Sequence, residues 1–340
     1  MHKILFITLV DASFVRLDKE ILREEYDITT FQFRYRKGWR VITELIRELF
    51  FVFYKIWSID VVYIWFADFH AVIPSLVGHL LGKKVVIVVG GYDAANRKDL
   101  NYGVKTKFIG RISALVSLKM ATHLLPVTQF TMEDLIANFG EKLRTKCRII
   151  YNSYNQKFHC EHAVERSNTV VTVCLAHSEI TVIRKGVDFF VALAHEMPDI
   201  TFMIIGLTSS ALSYVHDMRS ANVQLIGKIP QEKLIEILCS SRVICQFSRY
   251  EAFGVALLEG IAAGCFPVGF DYGGTSEILK AGQGLLIDEL SVEKGITSIK
   301  QALNEPADAV KPIQNSISKR FSIDVRQKAL VSFISEILDR

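Results

Sequence analysis

The sequence predicts an α/β protein made of two doubly wound domains. Three observations carry that prediction. Short apolar runs rich in Val and Ile alternate with amphipathic segments along the whole chain, as strands and helices do in parallel sheets. The alternation breaks once, at a polar stretch from Asn152 to Thr169, and then restarts. The chain has 340 residues, half of them hydrophobic; that is long for one core and ample for two.

In the first half, Ile4–Val10 is a continuous apolar run, read as a strand buried on both faces. Asp18–Glu25 is a short helix and Tyr26–Phe33 a strand. Val61–Trp65, Lys84–Val89 and His123–Val127 are further strands, with helices at Ala71–Leu81 and Thr131–Phe139 between them. Ile149–Tyr151 closes the domain as its last strand. After the polar linker come strands at Val170–Leu175, Thr201–Ile205 and Val223–Ile226, and helices at Val187–His195 and Gln231–Cys239. Arg242–Phe247 is a strand, and a loop with Glu251 leads into a helix over Val255–Ala263. Gly264 fits the end of that helix. Pro267–Phe270 is the next strand, with Gly273-Gly274 a tight loop after it. Asp324–Leu338 is helical by periodicity. The domains are therefore expected at 1–160, joined by a helix at about 322–340, and at 161–321.

Composition excludes several classes. No run reaches 18 uninterrupted apolar residues, so no spanning helix is expected. Lys3–Val10 is followed at once by Asp11 without a small-residue cleavage site, so it reads as a strand and not a signal segment. The six cysteines form no C-x-x-C pair and sit mostly among apolar residues, which suits reduced thiols in a cytoplasmic protein. No P-loop, G-x-G-x-x-G or D-x-D occurs, so neither a nicotinamide enzyme nor a metal-held diphosphate is indicated. His159-Cys160-Glu161-His162 could chelate a metal but has no partner cluster. No nucleic-acid-binding pattern appears. Charge is uneven: residues 1–160 hold 23 Lys+Arg against 15 Asp+Glu, and residues 161–340 hold 17 against 21. A basic N-terminal half suits an anionic partner, or simply solubility.

In open α/β sheets, ligands bind beyond the carboxyl ends of the strands. Glu251 lies in such a loop, and Gly254 opens a helix whose free N–H groups and dipole favour an anion. Phe253, Gly254 and Val255 would present that backbone to a phosphate. Glu259 follows about two turns on, among Leu, Gly, Ile and Ala; a carboxylate there needs a partner, and it can accept two hydroxyl hydrogens. The spacing alone says little, since Glu133 and Glu141 repeat it outside any such setting. Arg184 and Lys185 precede a glycine and a helix and could neutralise a diphosphate, or be a solvated pair. Asp93 follows Gly90-Gly91, where glycines at a strand end let backbone and ligand come close, or it caps a turn. His70, after Trp65-Phe66-Ala67, is a second candidate for the same place.

The stretch SRYEAFGVALLEGIAAGCFPV resembles the donor-binding motif of retaining GT-B glycosyltransferases of the family-4 type. VVIVVGGYDA, IIYNSYNQKF and IRKGVDFFVALAHEMPDITFMIIG look like further landmarks of the same family. The resemblance implies two Rossmann-like domains facing a cleft. It implies transfer of a sugar from a nucleotide-diphosphate-sugar to a hydroxyl acceptor, with retention and without a metal or other cofactor. It assigns Glu251 to the transferred sugar, Glu259 to the ribose, Lys185 to the diphosphate, and Asp93 to the reacting centre, where a carboxylate could stabilise positive charge on the anomeric carbon; His70 stands as a second candidate by position. Two departures stand out. Ser178-Glu179 occupies the place of an Arg found in many members, and the first loop, Leu9–Ser13, lacks their glycine pair. An epimerase or phosphorylase of the same fold, or a non-catalytic nucleotide-binding relative, is the alternative.

The stretch Arg34–Trp57 combines four cations and two aromatics with a helix bearing a broad apolar face. Either it packs on the first sheet with a basic rim, or it lies on anionic lipid at roughly 1 kcal/mol per cation. Both hold if one face packs and the Trp39 end meets lipid. The expected partners are thus the donor, an anionic or lipid-linked hydroxyl acceptor and a peripheral membrane contact at the inner face, with no nucleic acid.

Overall fold

The computed structural model describes residues 1–34, 38–160, 165–280 and 282–339. It divides into two compact units, Met1–Asn152 with Asp324–Arg340, and Ser153–Ile323.

The first unit runs β1 (Lys3–Thr8), α1 (Ser13–Glu25), β2 (Asp27–Gln32), α2 (Arg40–Lys55), β3 (Val61–Trp65), α3 (Val72–Leu80), β4 (Lys84–Val89), α4 (Phe108–Met120), β5 (His123–Pro126) and α5 (Gln129–Phe139). Its sheet is parallel, in the order β2-β1-β3-β4-β5. Every residue of β3 is buried, because helices cover both faces. α2, α3 and α4 contribute to the core against Leu5, Ile7, Val62, Ile64 and Val85. Across the opposite face, Asp18 of α1 receives Tyr63 Oη at 2.7 Å and Trp65 Nε1 at 3.0 Å. Arg326 donates to both oxygens of Asp18, at 2.6 and 2.8 Å, and to the Ile150 carbonyl at 3.3 Å. Both charges are buried, so each depends on the other. This knot ties the closing helix to the first sheet.

The second unit runs β6 (Ser167–Ala176), α6 (Glu179–Arg184), α7 (Val187–His195), β7 (Thr201–Leu207), α8 (Ser210–Met218), β8 (Val223–Ile226), α9 (Gln231–Ser240), β9 (Ser241–Gln246), α10 (Val255–Ala262), β10 (Phe266–Phe270), α11 (Gly273–Leu279), β11 (Leu285–Ile287), α12 (Val292–Asn304) and α13 (Lys311–Phe321), after which α14 (Ile323–Leu338) joins the first unit. Its sheet is also parallel, ordered β11-β10-β9-β6-β7-β8. The chain steps outward from β6 through β7 to β8, then returns to lay β9 on the other side of β6. Between β6 and β9 the winding reverses, which is where such sheets open a crevice.

The structure differs from the sequence reading at five places. The first helix begins at Ser13, before Asp18. Ile149–Tyr151 is not a strand, although Arg148 and Ile150 each donate one bond to the β5 edge. Gly273 and Gly274 form the first turn of α11, not a loop. The unit boundary falls at Asn152/Ser153, before residue 160, because Tyr154 N–H bonds Phe321 and Phe158 is buried. Cys160 and Cys239 form a disulfide where reduced thiols were expected. That bond takes Cys160 out of the His159–His162 metal candidate, of which Glu161 and His162 lie outside the described residues.

Candidate active site

The crevice between β6 and β9 collects the predicted donor residues. Gly186 adopts φ +68°, and a Cβ there would strike the Phe247 carbonyl. Only glycine lets these two backbones touch, and the contact draws Lys185 beside the loop after β9. Lys185 Nζ meets Glu251 Oε2 at 2.6 Å. Gln246, the last residue of β9, donates Nε2 to the same oxygen at 2.8 Å, and Ser248 Oγ lies at 3.5 Å. Burial pushes the Glu251 carboxyl up, but Lys185, then Arg184 and the Gln246 bond outweigh it and hold Glu251 below the usual carboxylate range. It is therefore ionised and fixed in place.

Arg249 holds the two sides of the crevice together. It grips Asp188 of α7 through two bonds, at 2.7 and 2.8 Å, and bonds the Ile183 carbonyl. Its own N–H donates to Arg184 O at 2.8 Å. Sequence reading missed this clamp and also missed Gln246. A side-chain bond across 61 residues leaves no local signature, although an Arg two residues before Glu251 was visible.

Gly254 caps α10 at φ +109°, with no side-chain cap and no acid in the first turn. Leu257 and Leu258 N–H turn back to the Gly254 carbonyl, while no described partner meets the N–H of Val255 or Ala256. Gln246 Oε1, buried without a partner among the described residues, lies 3.2 Å from where a Cβ on Gly254 would stand. Phe253 has its ring buried against Phe321, which takes its side chain away from any ligand. Gly274 abuts that backbone and donates its N–H to Glu251 O at 2.8 Å. This is why a glycine pair begins α11: any side chain would push the Glu251 loop away. Glu259 is half-buried on α10, has no described hydrogen-bond or ionic partner, and is pushed by burial to about 8. The orphan amide oxygen beside the open N–H groups of α10, and an unpartnered carboxyl further along the same helix, suit a polar ligand.

Asp93 and His70 lie in the first unit, and both are 0% exposed. Asp93 takes Ala67 N–H and Gly91 N–H on its two oxygens, each at 2.9 Å; burial raises it to about 6 against those bonds. His70 Nε2 donates to the Trp65 carbonyl at 2.9 Å and leaves Nδ1 without a described partner. Burial lowers His70 to about 4, so it stays neutral. In this structure both side chains are buried and hydrogen-bonded to the loop after β3. That loop holds Phe66 at φ +70°, an uncommon conformation for a bulky residue. The Phe66 ring lies where a Cβ on Gly90 would be. Among the described residues, no group of three or more His, Cys, Asp or Glu is placed to hold a metal.

A family model described as Glycosyl transferases group 1 matches residues 177–319, the interval containing Lys185, Glu251 and Glu259. The Saccharomyces cerevisiae phosphatidylinositol N-acetylglucosaminyltransferase GPI3 subunit is 26% identical over 148 residues, 41% of this chain and 32% of that protein. The chain thus spans about a third of the length of the yeast relative. A phosphatidylinositol N-acetylglucosaminyltransferase subunit from Arabidopsis thaliana is 22% identical over 86% of this chain and 66% of its own. The Bacillus anthracis N-acetyl-alpha-D-glucosaminyl L-malate synthase is 20% identical over 70% and 64%. Among solved structures, Anabaena HepE in complex with UDP and glucose superposes with a TM-score of 0.79 at 13% identity, covering 98% of this chain and 100% of that one. Sucrose-phosphate synthase from Thermosynechococcus elongatus gives 0.79 at 14%, covering all of both chains. The second unit carries a glycosyl transferases group 1 domain, and the chain as a whole has the two-domain α/β fold, GT-B, of glycosyltransferases.

Proposed function

We propose that this protein is a retaining glycosyltransferase that moves a sugar from a nucleotide-diphosphate-sugar to a hydroxyl acceptor in glycoconjugate synthesis. One observation carries the reading: the Lys185–Glu251 pair stands where the second sheet reverses its winding, beside the open N-terminus of α10. In this scheme Lys185, Arg184 and the N–H groups at Gly254 and Val255 meet the charge that develops on the leaving diphosphate. The charge is met by the protein, so the scheme requires no metal ion. Glu251, kept ionised by Lys185, orients the transferred sugar. Glu259 accepts the ribose hydroxyls.

The solved neighbour with UDP and glucose makes UDP the first donor base to test. Two relatives are named for N-acetylglucosaminyl transfer to phosphatidylinositol or L-malate, both anionic hydroxyl compounds. An anionic or lipid-linked acceptor suits the basic first half, and we place the chain peripherally on a membrane. No helix among the described residues is long and apolar enough to cross one.

The test is turnover of radiolabelled UDP-sugars with phosphatidylinositol and L-malate as acceptors. Glu251→Gln and Lys185→Ala should each lower kcat/KM by about a hundredfold or more, with circular dichroism unchanged. Equal turnover in the wild type and both variants overturns the mechanism. A product in which the donor sugar is epimerised or phosphorolysed, not transferred, overturns the reaction class.

A further inference from the structure

Among the described residues, thirteen of the nineteen exposed large apolar side chains fall within residues 39–57, 76–80 and 108–112 of the first unit. These stretches belong to α2, α3 and α4, which pack side by side on one face of the sheet, α3 between the other two. The patch therefore forms one surface. It far exceeds the scattered apolar residues normal on a water-facing protein.

α2 is built inside out. Its only acids, Glu44 and Glu48, are 4% and 0% exposed, while Trp39, Phe50, Tyr54 and Trp57 are 69–78% exposed. Glu44 is satisfied by Arg34 N–H at 3.0 Å and Arg47 Nε at 2.9 Å. Glu48 has neither oxygen partnered among the described residues, and burial pushes it to about 9. A helix that turns carboxyls to the core and Trp and Phe to the outside reverses the arrangement water selects. Val52 with Val41, Leu45 and Phe51 holds it to the core, and its outer apolar face gains wherever the outside is less polar than water.

Apart from the partly buried Asp68 near Lys107, the charge around this patch is positive. α3 and α4 contain no acid, and those of α2 are buried. Arg40, Lys107, Arg111 and Lys119 are exposed around the patch, and Leu80, Phe108 and Ile109 stand 73–78% exposed among them. We infer that the outer face of α2, α3 and α4 docks on an anionic lipid bilayer. Trp and Tyr suit the headgroup layer, the aliphatic chains reach the acyl boundary, and the cations meet the anionic leaflet. A second copy of this chain is a poor occupant, because the same cations would face each other. The peripheral contact in the proposed function rests on this surface. The surface itself stands on first-unit residues alone, so lipid binding can be read without turnover.

The experiment is flotation of the full chain with phosphatidylcholine vesicles, with and without phosphatidylserine, alongside analytical ultracentrifugation. The wild type should partition onto phosphatidylserine vesicles about tenfold or more better than onto phosphatidylcholine alone. The triple variant Trp39→Ser, Phe50→Ser, Trp57→Ser should lose about tenfold of that binding. Lys107→Glu with Arg111→Glu should abolish the preference for phosphatidylserine. UDP binding should be unchanged in both variants, which reports an intact second unit. Failure to float with either vesicle, equal flotation of the triple variant, or a dimer that the triple variant dissolves without any lipid binding each overturns the inference. Flotation without sugar transfer leaves it standing and counts against the enzymatic reading alone.

Discussion

Replacing Glu259 by Gln tests the donor site at its least ordinary residue. The Glu259 carboxyl is raised from 4.5 to about 8 by burial, with no cation to offset it. Between those values the folded chain keeps a proton that the unfolded chain has released, so the wild type loses stability as pH rises from about 4.5 to about 8. Gln has nearly the same shape and does not titrate. The variant should therefore match the wild type near pH 5 and exceed it near pH 9. At 1.36 kcal/mol per pH unit the gap has a ceiling of about 5 kcal/mol. Water reaches the half-buried carboxyl, so about 2 kcal/mol is expected, or about 4–8 °C in Tm for a unit of this size. Nucleotide binding should run the other way. Ribose hydroxyls donate to the ionised carboxylate, so UDP affinity of the wild type should strengthen toward pH 8, while that of Glu259→Gln should stay flat. The variant should bind about tenfold or more weaker near pH 8, the worth of a hydrogen bond to a charged group. Differential scanning fluorimetry and titration calorimetry across this pH range give both readings. A variant that gains no stability near pH 9, or that binds UDP as well as the wild type, refutes the reasoning.

Two further outcomes follow from geometry elsewhere. Arg326→Ala leaves Asp18 buried without its cation and should cost about 3–5 kcal/mol, seen as a lower urea midpoint; a loss under about 1 kcal/mol contradicts the buried pair. The Cys160–Cys239 disulfide closes 79 residues and should contribute about 4 kcal/mol; in denaturant the unreduced chain should expose four thiols and the reduced chain six, and six in both excludes the bond.

β3 and β4 were legible because each is a Val/Ile-rich run buried almost throughout, and their limits match the structure. β8 is an edge strand and mostly not buried, yet its limits match as well. Lys185 and Glu251 meet at one sheet edge as their positions after strands suggested. What stayed hidden depends on contacts made at a distance. Gly273 and Gly274 read as a loop because glycine disfavours helices, yet Gly274 must be small to touch Phe253. The Arg249–Asp188 clamp and the Cys160–Cys239 bond join residues far apart in sequence. Asp93 and His70 follow strands as ligand-contacting groups do, but the sequence could not say that both are buried. For α2 the periodicity gave an apolar stripe without saying which stripe faces the sheet. The buried Glu44 and Glu48 answer that, against ordinary expectation.

The Asp18–Arg326 knot also sets an order of assembly. Asp18 is made 308 residues before the arginine that neutralises it. The second unit is one unbroken segment, Ser153–Ile323, and can complete its core during synthesis. The first cannot: until residue 326 leaves the ribosome, closing α1 over β3 would strand a carboxylate in an apolar interior. A chain cut short after Ile323 should therefore keep a protease-resistant second unit while its N-terminal half stays open to cleavage, because the helix that seals the first sheet is made after the whole of the second unit.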